Sequence, residues 1–473
     1  MSLSSVKSLI ALLATAALLA ACGGSLVGSA PPPVGGLTLE PGEGGVTLSW
    51  TAVPGVVYWA YTGQSATLCK NCNNANDWYG NGVVGAQSRG WATAITSPYF
   101  FTGNTLQTNL NNDAVYAFIM DGRTNGKPAG DATASVSTTP RLNGANWYNG
   151  GAIGTGAIKG MAFGPVLNNT VTNNYDTTGT YLAFGDGGIK YKSADGLNWS
   201  LITTVTDTTN WKAAAYAFTG STIQKFVGVG AGGAVIYSSD LVTWTPAPTA
   251  LTVSAGQDLN DVTSSSNMLV AVGNKGTILR STDGLNWVAA TSVPSTPNLY
   301  AVKYTTVLVL GVVTPLWVAV GDGGAVLYSS DAATWIVANS GTTQDLKGVA
   351  SVANYNYPNG VYIPTNSALA TVSYSVVAVG KGGTVIQTGD GINWTPQTLG
   401  TGSHLNAIVA STAMLPTNQF MIVGDGGKAF TSPDGVTWTP RTPTTTQGLT
   451  GLIRGLNNQY LAWAANGTTT YSK

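Results

Sequence analysis

Over the carboxyl-terminal two-thirds of this 473-residue chain, short apolar runs and glycine turns alternate at a regular interval. Val318-Ala319-Val320 leads into Gly321-Asp322-Gly323-Gly324, and matching strand-and-turn patterns occur at Gly185, Gly230, Gly273, Gly380 and Gly424. A second apolar pattern precedes four of them: Leu259-x-x-Val262, Leu299-x-x-Val302, Leu346-x-x-Val349 and Leu405-x-x-Ile408. After each turn, a third run enters a Ser/Thr-x-Asp sequence with a Trp four residues beyond the Asp. The pairs are Asp195 with Trp199, Asp240 with Trp244, Asp283 with Trp287, Asp331 with Trp335, Asp390 with Trp394 and Asp434 with Trp438. A degenerate copy, Asn143 to Trp147, opens the series. Four strands in about 45 residues make one blade of a propeller. The last segment, from Gly448, supplies three strands of a blade and stops, which places the missing fourth, with its Trp, at Asn143 to Trp147. A solenoid would instead carry polar caps. Residues 141–473 are therefore predicted to form a seven-bladed β-propeller closed by pairing N- and C-terminal strands.

Residues 35–140 carry a different pattern. Val46 to Trp50 alternates apolar and polar positions as a half-buried strand does. Val56 to Tyr61, Ala114 to Met120 and Ala134 to Thr138 are further strand candidates, with turn signals at Asp121-Gly122 and Asn125-Gly126. This spacing of short strands predicts a sandwich. In detail it resembles a fibronectin type III domain: Trp50 stands where that family has a core Trp, Leu110 with Tyr116 matches its tyrosine corner, and Ser137 to Pro140 matches its last strand. The resemblance implies a spacer or interaction module. Thr62 to Asn104 is longer than the family norm. The fold class expected for the whole chain is all-β.

Lys7 is the one charge in the first 39 residues, and the apolar run Leu9 to Leu19 follows it. A basic start, a brief apolar stretch and small residues describe a secretory signal over 1–21. Leu19-Ala20-Ala21-Cys22 resembles the lipobox of bacterial lipoproteins. That resemblance implies acylation of Cys22, with palmitate among the chains, and an exported, lipid-anchored protein. Gly23 in place of the Asp retention signal implies the outer membrane. Residues 22–34, rich in Gly, Ser, Ala and Pro, read as a tether. Cys69 and Cys72 sit among asparagines in a loop-like context, and a disulfide between them is expected for an oxidising compartment.

Charge narrows the function. Lys+Arg and Asp+Glu number 20 each, and charged residues make up 8% of the chain, against about 25% in ordinary domains. Nucleic acid is excluded as an expected partner, because phosphate binding needs clustered cations. Disorder is excluded by the 44% hydrophobic content. The one histidine, His404, cannot make a zinc site without more ligands; no metal and no cofactor are expected.

The Ser-x-Asp…Trp repeat resembles a shortened Asp-box, and the wider pattern is similar to the photosystem II assembly factor type of propeller. That resemblance implies a binding or assembly role, although the arginine-rich patch of that family has no counterpart. Asp-box glycosidases are the alternative, acting on extracellular polysaccharide. Glu40 and Glu43 are the only Glu and both precede the propeller, so an enzyme would have to work with Asp alone, where glycoside hydrolysis needs two facing carboxylates. The Asp and Trp residues of the boxes, with Trp147, read as structural. Asp258, Asn298, Asp345 and His404 share one repeat position, just before the innermost strand, and are expected to ring one mouth of the central channel as a mildly acidic, polar rim. The function expected is non-catalytic recognition of a protein or glycan by a monomer anchored to a membrane.

Overall fold

The computed structural model describes residues 34–42, 45–64, 88–90, 99–101, 116–123, 136–138 and 144–472, apart from 170–173, 176–178, 203–206, 220–222, 249, 251–253, 255, 310–311, 357–370, 412–419 and 456–458. The chain divides into two compact units, Met1–Arg141 and Leu142–Lys473.

In the first unit, one sheet orders Gly35–Gly42, Gly45–Thr51 and Tyr99–Phe101. A second orders Ser88–Gly90, Val57–Gln64, Tyr116–Arg123 and Val136–Thr138. Val46, Leu48 and Trp50 alternate inward, as their period-2 pattern requires, and meet Tyr58, Ala60 and Met120 in one core. The Trp50 and Tyr58 rings lie 5.3 Å apart. Asp121-Gly122, expected as a turn, instead continues a strand, paired with Trp59 and Tyr58. A ladder to a neighbouring strand outweighs the weak local preference of these residues. Leu110, Asn125-Gly126, the Cys69–Cys72 loop and everything before Val34, Cys22 included, lie outside the described residues.

The second unit holds, among its described residues, seven four-stranded antiparallel blades. Their inner strands are Ile158–Gly164, Trp211–Thr219, Leu259–Ser264, Leu299–Val309, Leu346–Asn356, Leu405–Ala410 and Leu449–Arg454, for blades 1 to 7. Each inner strand lies against the next, and the seventh lies against the first. The chain is all-β, and this unit is a seven-bladed β-propeller. Second strands such as Leu269–Gly273 are buried throughout, being covered on both faces, and accordingly read as continuous apolar runs.

Blades 1 to 6 are contiguous in sequence. Blade 7 joins Leu449–Arg454, Tyr460–Ala464 and Thr468–Ser472 to Tyr148–Ala152 from the start of the unit. Tyr471 pairs with Tyr148 and Thr468 with Ala152. The Thr470 hydroxyl donates to the Tyr148 carbonyl at 2.9 Å, the Ser472 hydroxyl accepts from the Gly144 N–H at 2.6 Å, and the Tyr148 and Tyr471 rings stack at 5.3 Å. The fourth strand thus begins one residue after Trp147 instead of spanning Asn143 to Trp147. The earlier residues make a turn in which the Trp147 indole N–H donates to the Gly144 carbonyl at 3.0 Å.

Seven apolar cores fill the seven blade interfaces, and each contains one Trp of the repeat series. Trp287 lies between blades 2 and 3, Trp335 between 3 and 4, Trp394 between 4 and 5 and Trp438 between 5 and 6. Trp147, Trp199 and Trp244 serve the remaining three. In every blade the pairing of the inner strand slips after its first residue. That bulge re-aims the second residue, and it sets up the mouth.

Candidate functional site

The turn after each second strand needs acceptors for its backbone N–H groups, and the following blade supplies them. Asn210 Oδ1 accepts from the Gly187 N–H at 2.9 Å, Asp258 Oδ1 from Gly232 at 2.8 Å and Asn298 Oδ1 from Lys275 at 3.0 Å. Asp345 Oδ1 accepts from Gly323 at 3.0 Å and His404 Nδ1 from Gly382 at 3.1 Å. The backbone carbonyls of the same five residues accept from the first N–H of their own blade's turn, that of Ala231, Asn274, Asp322, Lys381 or Asp425, each at 2.9 Å. Every one therefore ties one turn to the next around the ring. The four residues expected at the rim are brought into this arrangement, and Asn210, which sequence reasoning missed, is the fifth. These side chains hold the mouth together before they offer anything to a ligand.

The bulged second residues of the inner strands add the cations. Lys159 lies 3.5 Å from Asp186. Lys212 lies 2.8 Å from Asp258 and donates to Asn260 Oδ1 at 3.0 Å across the blade boundary. Lys347 sits 3.7 Å from Asp345 with its ammonium 3.3 Å from the centre of the Tyr300 ring. Lys381 reaches Asp345 at 2.6 Å. Asn298 Nδ2 donates to Asp322 at 2.8 Å, and Asn406 Nδ2 to Asp425 at 2.8 Å. Lys159, Lys212, Lys275, Lys347 and Lys381 balance Asp186, Asp258, Asp322, Asp345 and Asp425, so the rim is charge-neutral rather than mildly acidic. The missed signal was a lysine straight after the first inner-strand residue in three blades.

These pairings fix the charge states. The hydrogen bond from Lys212, with the Gly232 N–H, holds the Asp258 carboxyl below the usual range. Lys381 and the Gly323 N–H do the same for Asp345. Burial together with Asp322 pushes the Tyr300 phenol up to about 12, so it stays a neutral donor. A groove of about 480 Å³ opens beside Gly382, lined by Thr342, Thr384, Pro396, Leu399 and Thr401 among others. It is uncharged and next to the Lys381–Asp345 pair.

The six full boxes share one turn geometry at the Asp, while the indole bond to the turn carbonyl is made by Trp199, Trp287 and Trp335 and not by Trp244, Trp394 or Trp438. In the first, Asp195 Oδ1 accepts from the Leu197 and Asn198 N–H groups, both at 2.8 Å, and the Ser193 hydroxyl donates to it at 2.9 Å. The Trp199 indole N–H donates to the Gly196 carbonyl at 3.1 Å. Asp240, Asp283, Asp331, Asp390 and Asp434 each accept the same pair of backbone N–H groups. Burial opposes ionisation, but these hydrogen bonds outweigh it and hold Asp195, Asp283 and Asp390 at about 2.

Two further charged features stand inside the propeller, at Lys190 with Asp207 and at Asp261. Lys190 is fully buried, bonds Asp207 and the Gly188 carbonyl, and stands 5.5 to 5.8 Å from the Phe184, Trp244 and Trp211 ring centres. Asp207 also accepts from the Trp211 indole at 2.8 Å, so the charge is fully answered. On the inner strand of blade 3, burial pushes the Asp261 carboxyl up to about 6, against N–H bonds from Val302 and Val262, both at 2.8 Å. Among the described residues, no three His, Cys, Asp or Glu side chains gather as a metal site requires.

Comparison with known proteins bears on the fold. The DUF6242 beta propeller domain matches residues 226–351, which fall in blades 2 to 5. Two YCF48 structures, one bound to D1 peptide and one from Cyanidioschyzon merolae, are 15% and 13% identical. Each covers 69% of this chain, over 96% and 99% of its own length, with TM-scores of 0.48 and 0.49. A catalytically inactive virginiamycin B lyase from Staphylococcus aureus, with quinupristin, is 7% identical over 69% of this chain and 99% of its own, with a TM-score of 0.51. At that identity the likeness is one of fold alone. No curated protein matches the sequence.

Proposed function

We propose that the protein is a non-catalytic binding protein that recognises a protein or glycan partner through the propeller mouth, held at a membrane by an acylated Cys22. The observation that carries this is the neutral belt of paired Lys and Asp side chains around the mouth. Its members are partly exposed, with Lys381 and Asp186 each 45% accessible, and each pair can exchange an internal partner for a ligand group. Charge pairs of this kind select partners by complementarity rather than by long-range attraction.

The first unit serves as a fibronectin type III-like spacer in this reading. Its support is the division into sheets of three and four strands around Trp50. The strand pair Tyr148–Ala152 with Thr468–Ser472 acts as the clasp of the ring. The alternative, a glycosidase using Asp alone, finds less support, because Asp258 and Asp345 are each tied to a lysine and a backbone N–H.

Photo-crosslinkers placed at Lys159 or Lys381 in the native cell should yield adducts, while those placed at Asn198 or Asn286 in the box turns should yield none. Adducts only from the box turns would overturn the assignment. Release from chromogenic glycosides that depends on Asp258 or Asp345 would replace it with the enzymatic reading.

A further inference from the structure

We propose that Lys275 is the anchoring contact of the mouth for a carboxylate-bearing oligosaccharide, an assignment that rests on the mouth being the binding face. The starting observation is backbone strain in one turn. The middle residue of the mouth turn is Gly187, Gly232, Gly323, Gly382 and Gly426 in five blades, all at φ between 61° and 69°. Blade 3 places Lys275 there at φ 53°. A side chain in this region costs stability that glycine does not. A Cβ at Gly187, Gly232, Gly323 or Gly426 would meet nothing within 4 Å, so the cost is one of backbone conformation alone.

Among the described residues, two other non-glycine residues share a positive φ, Leu241 and Ala332. Both are buried in blade-interface cores, which accounts for them. Lys275 is exposed and gains no such packing. Strain without a packing return points to function.

Its ammonium is also distinctive. Lys159, Lys212, Lys347 and Lys381 each have a carboxylate within 4 Å; Lys275 has none among the described residues. A cation left without an internal partner is the group an incoming anion meets first, and a charge-assisted hydrogen bond is about twice as strong as a neutral one.

The surroundings select the kind of anion. Asn274 and Asn298 flank the lysine, and Asn260 bonds the Asn274 side chain at 2.9 Å. Among the described residues, the exposed large hydrophobic residues of the propeller stand elsewhere: Val242, Leu285 and Val436 in box turns, Tyr148, Leu201, Val288, Ile336 and Val337 on outer strands, Leu308, Val312 and Val313 in the blade 4 hairpin. Protein interfaces draw on clusters of buried aromatic and aliphatic anchors; here Tyr300 is held against the Lys347 ammonium. Amides, a phenol and one unpaired cation match a hydroxyl-rich chain bearing carboxylates, as a uronic-acid oligosaccharide does.

The test titrates the full-length protein with galacturonate, glucuronate and mannuronate oligomers, a neutral cello-oligosaccharide of equal length and a glutamate-rich peptide, at low and high salt. At least one uronate oligomer should bind, more weakly in high salt. Lys275→Gly should lower that affinity about ten-fold or more while raising Tm by about 2 °C. Lys275→Arg, equally strained and still charged, should keep it. Equal affinity in Lys275→Gly, binding of the neutral sugar or the peptide alone, or no binding of any uronate oligomer overturns the assignment. Crosslinks at Lys159 and Lys381 that persist in those cases leave the mouth as the binding face, whereas their loss removes both readings.

Discussion

Asp195 and its counterparts do their work by accepting backbone hydrogen bonds as carboxylates, which ties their value to pH. The ionised form is favoured in the folded chain at Asp195, Asp283 and Asp390, where the carboxyls sit at about 2. Unfolded aspartate titrates near 3.9. Their contribution is therefore complete above about pH 4 and is lost as pH falls towards 2. Urea denaturation should show stability dropping across that window, and a profile level from pH 4 to pH 2 would contradict the role assigned to the boxes. The three boxes with Asn at the third position after Asp (Asn198, Asn286, Asn393) add a side-chain amide bond; at Asp240 and Asp434 the hydroxyl of Thr243 or Thr437 bonds the carboxylate instead.

Elements were more legible than contacts. The glycine turns and the Asp-to-Trp spacing recur in the sequence because every blade must make the same tight turn and fill the same interface. Asp258, Asn298, Asp345 and His404 stood out through their shared repeat position. That each would bond a neighbouring blade's turn was hidden, since the partner lies 22 to 26 residues away across a boundary that pattern alone does not orient. Lys190 was invisible for another reason: it occupies a core position filled by Val235, Ile278, Val326 and Val385 in other blades, and its partner Asp207 comes from a loop. The shared sheet makes its own prediction. A Cβ added at Gly150 would collide with the Thr469 side chain and backbone. Gly150→Val should thus force the last two strands of blade 7 apart and cost about 1–3 kcal/mol, read as a lower denaturation midpoint. An unchanged midpoint would show that this pairing adds little.

For the whole molecule, the proposal to test is an anchored binding protein with a neutral mouth. Metabolic labelling with a palmitate analogue should mark the protein and partition it into the detergent phase, and Cys22→Ser should abolish both. Label retained in the variant would refute anchoring through Cys22. The first unit remains the less legible part, because its long Thr62 to Asn104 stretch matches no repeat that would locate its strands.

Tyr148–Ala152 is synthesised well before its partner Thr468–Ser472, Thr470 lying 322 residues after Tyr148. Throughout translation, then, a nascent chain holds one unpaired strand and an open flank on its first blade. Contacts of such sequence separation form slowly, so the ring cannot be completed until Thr468–Ser472 has emerged from the ribosome. An exported copy would reach that step only after Thr468–Ser472 had crossed the membrane to meet the waiting strand.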